Sequence, residues 1–236
     1  MTKETLYLFK VTIPIVLLTL FSLILIKNLS IVLLSFIVFY FLIYLVGCNL
    51  YHRYWSHKQL TLSKPVEVIT AVLGLFAMVG DPINYSKTHR WHHAKTDTDD
   101  DPHSPIHGRW HAFAGWMFKP RKSIPVFIIR DLLKPEFQYL QTLAKYQVVI
   151  VWSTLVVVAL VSVDAFVGLL LAMTIAFVFE MLVNAVSHDP KTLEIKNLWL
   201  LPKITMSSYH GFHHAHPKTI DKNDPAKWLM TLLSKM

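Results

Sequence analysis

Thirteen histidines are a surplus for a chain of 236 residues, and nine of them fall into a pattern. HRYWSH supplies His52 and His57, and HRWHH supplies His89, His92 and His93. His188 stands alone, and HGFHH supplies His210, His213 and His214. In a helix, positions i, i+3 and i+4 share a face, so each HxxHH triplet is expected to point three imidazoles at one locus. His52 and His57 are five apart, about 140° round a helix. They are expected to straddle a helix end or to reach two different metals. One metal takes four to six ligands, so nine histidines fit two metals and overfill one. Imidazole suits zinc, copper, iron and nickel alike, so the ligand set does not choose among them. A lone histidine is usually a surface or capping residue; two such triplets in one apolar chain are not accounted for that way. His103, His107, His111 and His216 lie outside the boxes and read as structural or surface residues.

The elements that must position these side chains are apolar. The composition is 53% hydrophobic and 16% charged, far from a soluble domain. Four stretches are long enough to cross a bilayer as helices: about 6–26, 29–50, 146–163 and 165–187. Short polar turns separate the first two and the last two, which makes two helical hairpins. The first run resembles a secretory signal, but no small-residue cleavage site follows it, so it is expected to be retained. A 13-residue apolar run, Val68–Gly80, is too short to span and is expected at the interface or under the polar part. Of the 23 basic residues, 13 lie in 51–145, seven follow the fourth span, and one, Lys27, lies in a short turn. The positive-inside rule then puts both termini and segments 51–145 and 188–236 in the cytoplasm. The net charge of +8 is explained by that orientation, and no basic–aromatic surface motif argues for nucleic acid. Cys48 is the only cysteine, which excludes an internal disulfide and a cysteine metal cluster. The expectation is one all-α membrane domain over 1–236, with four spans and a cytoplasmic helical cap carrying a histidine-rich di-metal site.

The histidine boxes and their surroundings resemble the membrane fatty acyl desaturases, of the stearoyl-CoA desaturase type and its bacterial and plant delta-9 relatives. GDPINYSKTHRWHHAKTDTDDDPHSPIHG, residues 80–108, resembles that family's second box and its tail. HRYWSH resembles the first box, NAVSH (184–188) the family's NSxxH, and HGFHHAHP the last box. The likeness runs from about Gly47 to Pro217. It implies a mushroom-like bundle whose nine histidines bind two Fe2+ ions, with Asn184, four residues before His188, acting through a water. It also implies oxygen-dependent insertion of a cis double bond, of delta-9 type, into a saturated acyl chain carried on CoA or lipid. There are departures. SSYHGFHH lacks the Gly-Glu pair that usually precedes the last box, and only 21 residues separate His188 from His210. Glu180 replaces a small hydroxyl residue, and Phe113 replaces a histidine.

The substrate and support residues follow from that frame. Phe36, Tyr40 and Tyr44 form one helical stripe, read either as the floor of an acyl tunnel, where Tyr40→Ala would lengthen the preferred chain, or as ordinary packing. Glu180 is an intramembrane carboxylate on the Asn184–His188 stripe. It is expected to hydrogen-bond a ligand histidine, or to be a protonated acid paired to another helix. Asp97 and Asp101, in the acidic run Asp97–Asp101, are expected to orient ligand imidazoles. Lys87, Lys119, Arg121 and Lys122 are read as contacts for a CoA or lipid phosphate, or for anionic lipid. No fused heme domain or iron–sulfur set is present, so an acidic external donor, a ferredoxin or a small b-type cytochrome, is expected to bring electrons to the basic cap. The compartment is a bacterial inner membrane or the endoplasmic reticulum. The rival readings are a membrane di-iron fatty acid hydroxylase or alkane monooxygenase, a metal-binding membrane transporter, and an inactive lipid-binding relative. A transporter would need its histidines along a path through the bilayer, whereas here they cluster past the helix ends on one side.

Overall fold

The computed structural model describes residues 2–119, 123–198 and 209–236. Four long helices carry the apolar stretches: α1 (Lys3–Leu25), α2 (Leu29–Ser56), α6 (Pro135–Val161) and α7 (Val163–Val186). Between α2 and α6 lie α3 (Lys64–Ala77), α4 (Pro82–Lys95) and the short α5 (Arg109–Phe113). After α7 come α8 (His210–Ala215) and α9 (Ala226–Leu233). Among the described residues there is no named strand, only one isolated bridge between His188 and Ile195.

The hairpin turns are fixed by capping. Asn28 accepts from the backbone N–H of Ser30 and Ile31 and starts α2; Ser162 accepts from Ala165 and starts α7. Asp164 accepts from Lys27 and Asn28 N–H, which ties the two turns together at one end of the bundle. The helices therefore return to the opposite end, where every histidine box lies. α7 is central, with 56% of its span buried, against 11% for α6. Gly168 lets α2 cross it closely: a Cβ there would sit 2.7 Å from the Val32 carbonyl oxygen. The outward faces are apolar over most of their length, for example Ile24 (85% exposed), Leu160 (82%) and Leu34 (65%). A water-soluble monomer does not leave such continuous patches bare. These are the lipid-facing sides of a membrane protein.

Two helices run past their apolar stretches. α2 does not stop at residue 50 but continues to Ser56, carrying His52. α6 begins near Pro135 rather than 146. The second half of α2 is π-helical over Phe41–Cys48 and, in the extension, over Tyr51–Ser56. α3 packs beside this extension, where Gly47 and Gly74 meet so closely that a Cβ on Gly47 would lie 2.5 Å from the Gly74 nitrogen. The Val68–Gly80 run thus belongs mostly to a helix packed under the polar end. α4 leaves α3 at 76°. The bend is written in the sequence MVGDP. Met78 and Gly80 take positive φ (59° and 89°), Asp81 caps α4 by accepting from Ile83 and Asn84 N–H, and Pro82 opens it. On the far side, α9 lays Leu229 and Met230 against Val46 and Leu50 of α2. A buried ion pair, Arg53 Nη2 to Asp224 Oδ2 at 2.6 Å, locks it there.

Candidate metal centre

Nine imidazoles meet at the end of the bundle, in two groups. His52, His57, His89, His93 and His213 form one; His92, His188, His210 and His214 form the other. Within each group the ligand-capable atoms all lie within 4.8 Å of one another. The triplets do not converge as the spacing suggested. α4 gives two histidines to the group of five and one to the group of four, and α8 does the reverse. The reason is helical geometry: residues four apart point about 40° apart, whereas adjacent His92 and His93 point about 100° apart. Each HxxHH therefore serves two loci. His52 and His57 reach the same group, not two metals. The π-helical turn, with its i→i+5 bonding, swings residues five apart back to one side, and His57 caps the helix end.

The donor set fits a cation in each group. His213 Nε2 lies 2.8 Å from His52 Nε2 and 3.1 Å from the Nε2 atoms of both His57 and His93. In the group of four, His210 Nε2 lies 3.1 Å from those of His188 and His214. One ring nitrogen has a single proton or a single lone pair, so it cannot satisfy three nitrogen neighbours by hydrogen bonding. Converging lone pairs are satisfied by a metal ion. Protonation is disfavoured as well. Burial pushes His57 down to about 2, with His93, Arg90 and Arg53 adding to it, and pushes His93 down to about 4, with His188 adding to it. Burial and adjacent imidazoles likewise lower His89, His92, His210 and His213. The neutral form that results is the one that ligates metal.

The loop after α4 supplies carboxylates to the group of four. Asp101 Oδ2 lies 2.8 Å from His92 Nδ1, and Asp97 Oδ2 lies 2.8 Å from His188 Nδ1. Both imidazoles thereby turn their Nε2 atoms inward. Asp101 is itself held by the backbone N–H of Asp97 and His103, and Ser104 donates to Asp97 Oδ1. Burial pushes Asp101 up to about 7. Burial also acts on Asp97, but hydrogen bonds from His188 and Ser104 outweigh it and hold that carboxyl below the usual range.

Among the described residues Glu180 hydrogen-bonds no histidine. Its Oε1 accepts from the Tyr85 hydroxyl at 2.6 Å and its Oε2 from the Tyr44 hydroxyl at 3.3 Å. The expected bond to a ligand imidazole is thus replaced by pairing to α4 and α2. Two site neighbours escaped the sequence reading. Tyr85, four residues before His89, stacks on the His89 ring (5.7 Å, 16°). His103, read as structural or surface, is buried with its ring 4.3 Å from that of His92, next to Asp101. The DPH tail of the second box was the available signal. His107 and His111 face each other at 5.2 Å, away from both groups, and His216 is exposed.

A cavity reaches the centre between α1, the α3–α4 bend, α6 and α7. Its walls include Tyr7, Met117, Phe177 and Met181, and also His89, Glu180 and Asn184. Asn184 is thus beside the histidines, where a side-chain amide can hold a water. Phe36, Tyr40 and Tyr44 do not border this cavity. They stack on one another (5.8 and 5.4 Å), with Tyr40 edge-on to Phe179 of α7. The stripe meets α7 at the level of the cavity, with the Tyr44 hydroxyl on the wall residue Glu180, so it packs behind that wall. Lys87 does not border the cavity either. Lys119 rims a second pocket with Asp99, His107 and His111. Arg121 and Lys122 lie outside the described residues. Among the described residues the cation on the cavity wall is Lys3.

Comparison with known proteins agrees with this geometry. The fatty acid desaturase family profile matches residues 28–230. A delta-9 desaturase-like protein of Arabidopsis thaliana is 33% identical over 184 residues, covering 70% of this chain and 59% of the relative. A palmitoyl-monogalactosyldiacylglycerol delta-7 desaturase of the same plant is 31% identical over 188 residues, covering 72% and 49%. A delta(9)-fatty-acid desaturase of Caenorhabditis elegans is 26% identical over 206 residues, covering 77% and 61%. The chain spans about half to three-fifths of the length of these relatives. With the profile covering most of its length, the chain belongs to the fatty acid desaturase family.

Proposed function

We propose that this chain is an oxygen-dependent fatty acyl desaturase that inserts a cis double bond, of delta-9 type, into a saturated chain carried on CoA or lipid. The observation that carries the reading is the convergence of nine imidazoles into two groups beside an apolar cavity. The five-histidine group would hold one Fe2+ through His52, His57, His89, His93 and His213. The other would be held by His92, His188, His210 and His214, with Asn184 completing it through a water. An iron pair held there would supply the capacity to activate dioxygen for removing hydrogen from two adjacent methylenes. The balance is one O2, two electrons and two protons taken up, one alkene and two waters released.

The chain's own residues do the positioning. Tyr7, Met117, Phe177 and Met181 exclude water and hold the acyl chain against the wall that carries His89. Asp97 and Asp101 keep His188 and His92 in the tautomer that presents Nε2. The distribution of basic residues supports a cytoplasmic centre, in a bacterial inner membrane or the endoplasmic reticulum. It also suits an acidic external donor, a ferredoxin or a small b-type cytochrome. Residues 1–236 act in this reading as one integral-membrane domain.

Expression in a desaturase-deficient host, with mapping of double-bond positions by gas chromatography and mass spectrometry, tests the proposal. A new cis monoene that depends on His213 is the expected result. Hydroxylated product without alkene would assign the chain to the hydroxylating branch instead.

A further inference from the structure

Glu180 is a carboxyl in an otherwise apolar stretch of α7, and the reaction as derived leaves it without a role. A carboxyl at such depth is costly and needs partners. Its partners are two hydroxyls, Tyr85 at 2.6 Å and Tyr44 at 3.3 Å, together with the Cys48 thiol. Tyr85 stands one turn before His89 on α4, on the same face. Its ring lies almost parallel to the His89 imidazole (5.7 Å, 16°), and the Tyr51 ring meets it edge-on at 5.8 Å. His89 Nε2 points into the five-histidine group, 2.8 Å from His57 Nε2. Among the described residues no carboxylate or carbonyl meets the other His89 ring nitrogen, unlike His92 and His188. The ring plane of His89 is therefore set by what it lies against, and Glu180 holds that ring by its hydroxyl.

We propose that Glu180 is a positioning residue for the five-histidine group: through the Tyr85 hydroxyl it fixes the Tyr85 ring on His89, and with it the direction of the His89 lone pair. This deepens the proposed function and rests on its assignment of the histidines as metal ligands. The link runs from α7 across the cavity wall to α4, so a carboxyl in the acyl-binding wall and a metal ligand move as one unit.

The test is the rate at which the purified, metal-loaded chain gives up each metal to a chelator, followed with thermal unfolding for Glu180→Leu, Glu180→Gln, Tyr85→Phe and the Glu180→Leu/Tyr85→Phe double variant. Glu180→Leu and Tyr85→Phe should each speed loss of one metal by about tenfold and leave the other unchanged, the scale of an outer partner's effect. Glu180→Gln keeps an acceptor for Tyr85 and should stay within about threefold of the parent. The double variant should be no worse than the worse single one, because both break one link. Equal acceleration of both metals, no acceleration in Tyr85→Phe, or a Gln variant as impaired as Leu would overturn the proposal. Should Glu180→Leu fail to fold, Tyr85→Phe reads the same link. A parent chain that holds two metals and shows this pattern but makes no alkene would remove the proposed function and leave the link standing. A parent that makes alkene, with Tyr85→Phe losing metal at the parent rate, would remove the link alone.

Discussion

The two histidine groups are built by different means. In the group of four, His92 and His188 are each held by a carboxylate at 2.8 Å, and both carboxylates come from the five-residue stretch Asp97–Asp101. In the group of five, no carboxylate reaches an imidazole among the described residues. Its rings are placed by the π-helical end of α2, by helix α4 and by ring packing, with Tyr85 on His89. One group is oriented by charge-assisted hydrogen bonds from a short loop, the other by shape. A loop carboxylate can be altered locally; a shape-held group depends on the packing of α2, α4, α8 and α9 around it.

The largest effect should come from the residue that joins most neighbours. His213→Ala removes the nitrogen that lies within 3.1 Å of three others. It should abolish alkene formation and empty the group of five, read as metal per chain. Next come the carboxylates. Asp97→Asn and Asp101→Asn should weaken metal held by the group of four by about 10–100-fold and leave the other group's metal in place. Equal loss from both groups would break the comparison. Asp224→Ala tests the shape-held side. It leaves Arg53 buried beside His52 without a carboxylate, though still bonded to Asn49 and Gln59, which costs about 3–5 kcal/mol. Thermal unfolding should drop accordingly, and the group of five should lose metal before the group of four. The smallest effect is expected for Tyr40→Leu, which keeps an apolar side chain away from both groups. Metal retention should stay within about twofold, and the product chain length should not move. A longer product would return the stripe to the acyl tunnel.

The sequence carried some of this plainly and some not at all. Four spans were legible because apolar length and short capped turns are local properties. The nine histidines were legible for the same reason, and Asp97 and Asp101 because they lie within a dozen residues of HRWHH. Their geometry was not. The split of each triplet between two groups depends on where the second group sits, which His188 and α8 decide from 95 or more residues away. The π-helical turn that brings His52 and His57 together left no sign in residue spacing read at 3.6 residues per turn. Glu180 announced itself as a carboxyl in an apolar helix, but its partner Tyr85 lies 95 residues away and only the crossing of α4 with α7 brings them together. Cavity walls assembled from four elements, with Lys3 among them, are a tertiary property for which periodicity has no equivalent.

The central claim is that the two groups hold a pair of irons. Metal quantification on purified chain with confirmed alkene-forming activity tests it most directly. About two irons per chain are expected, falling to about one in His213→Ala. One iron or fewer in fully active protein, or zinc in place of iron, would contradict it.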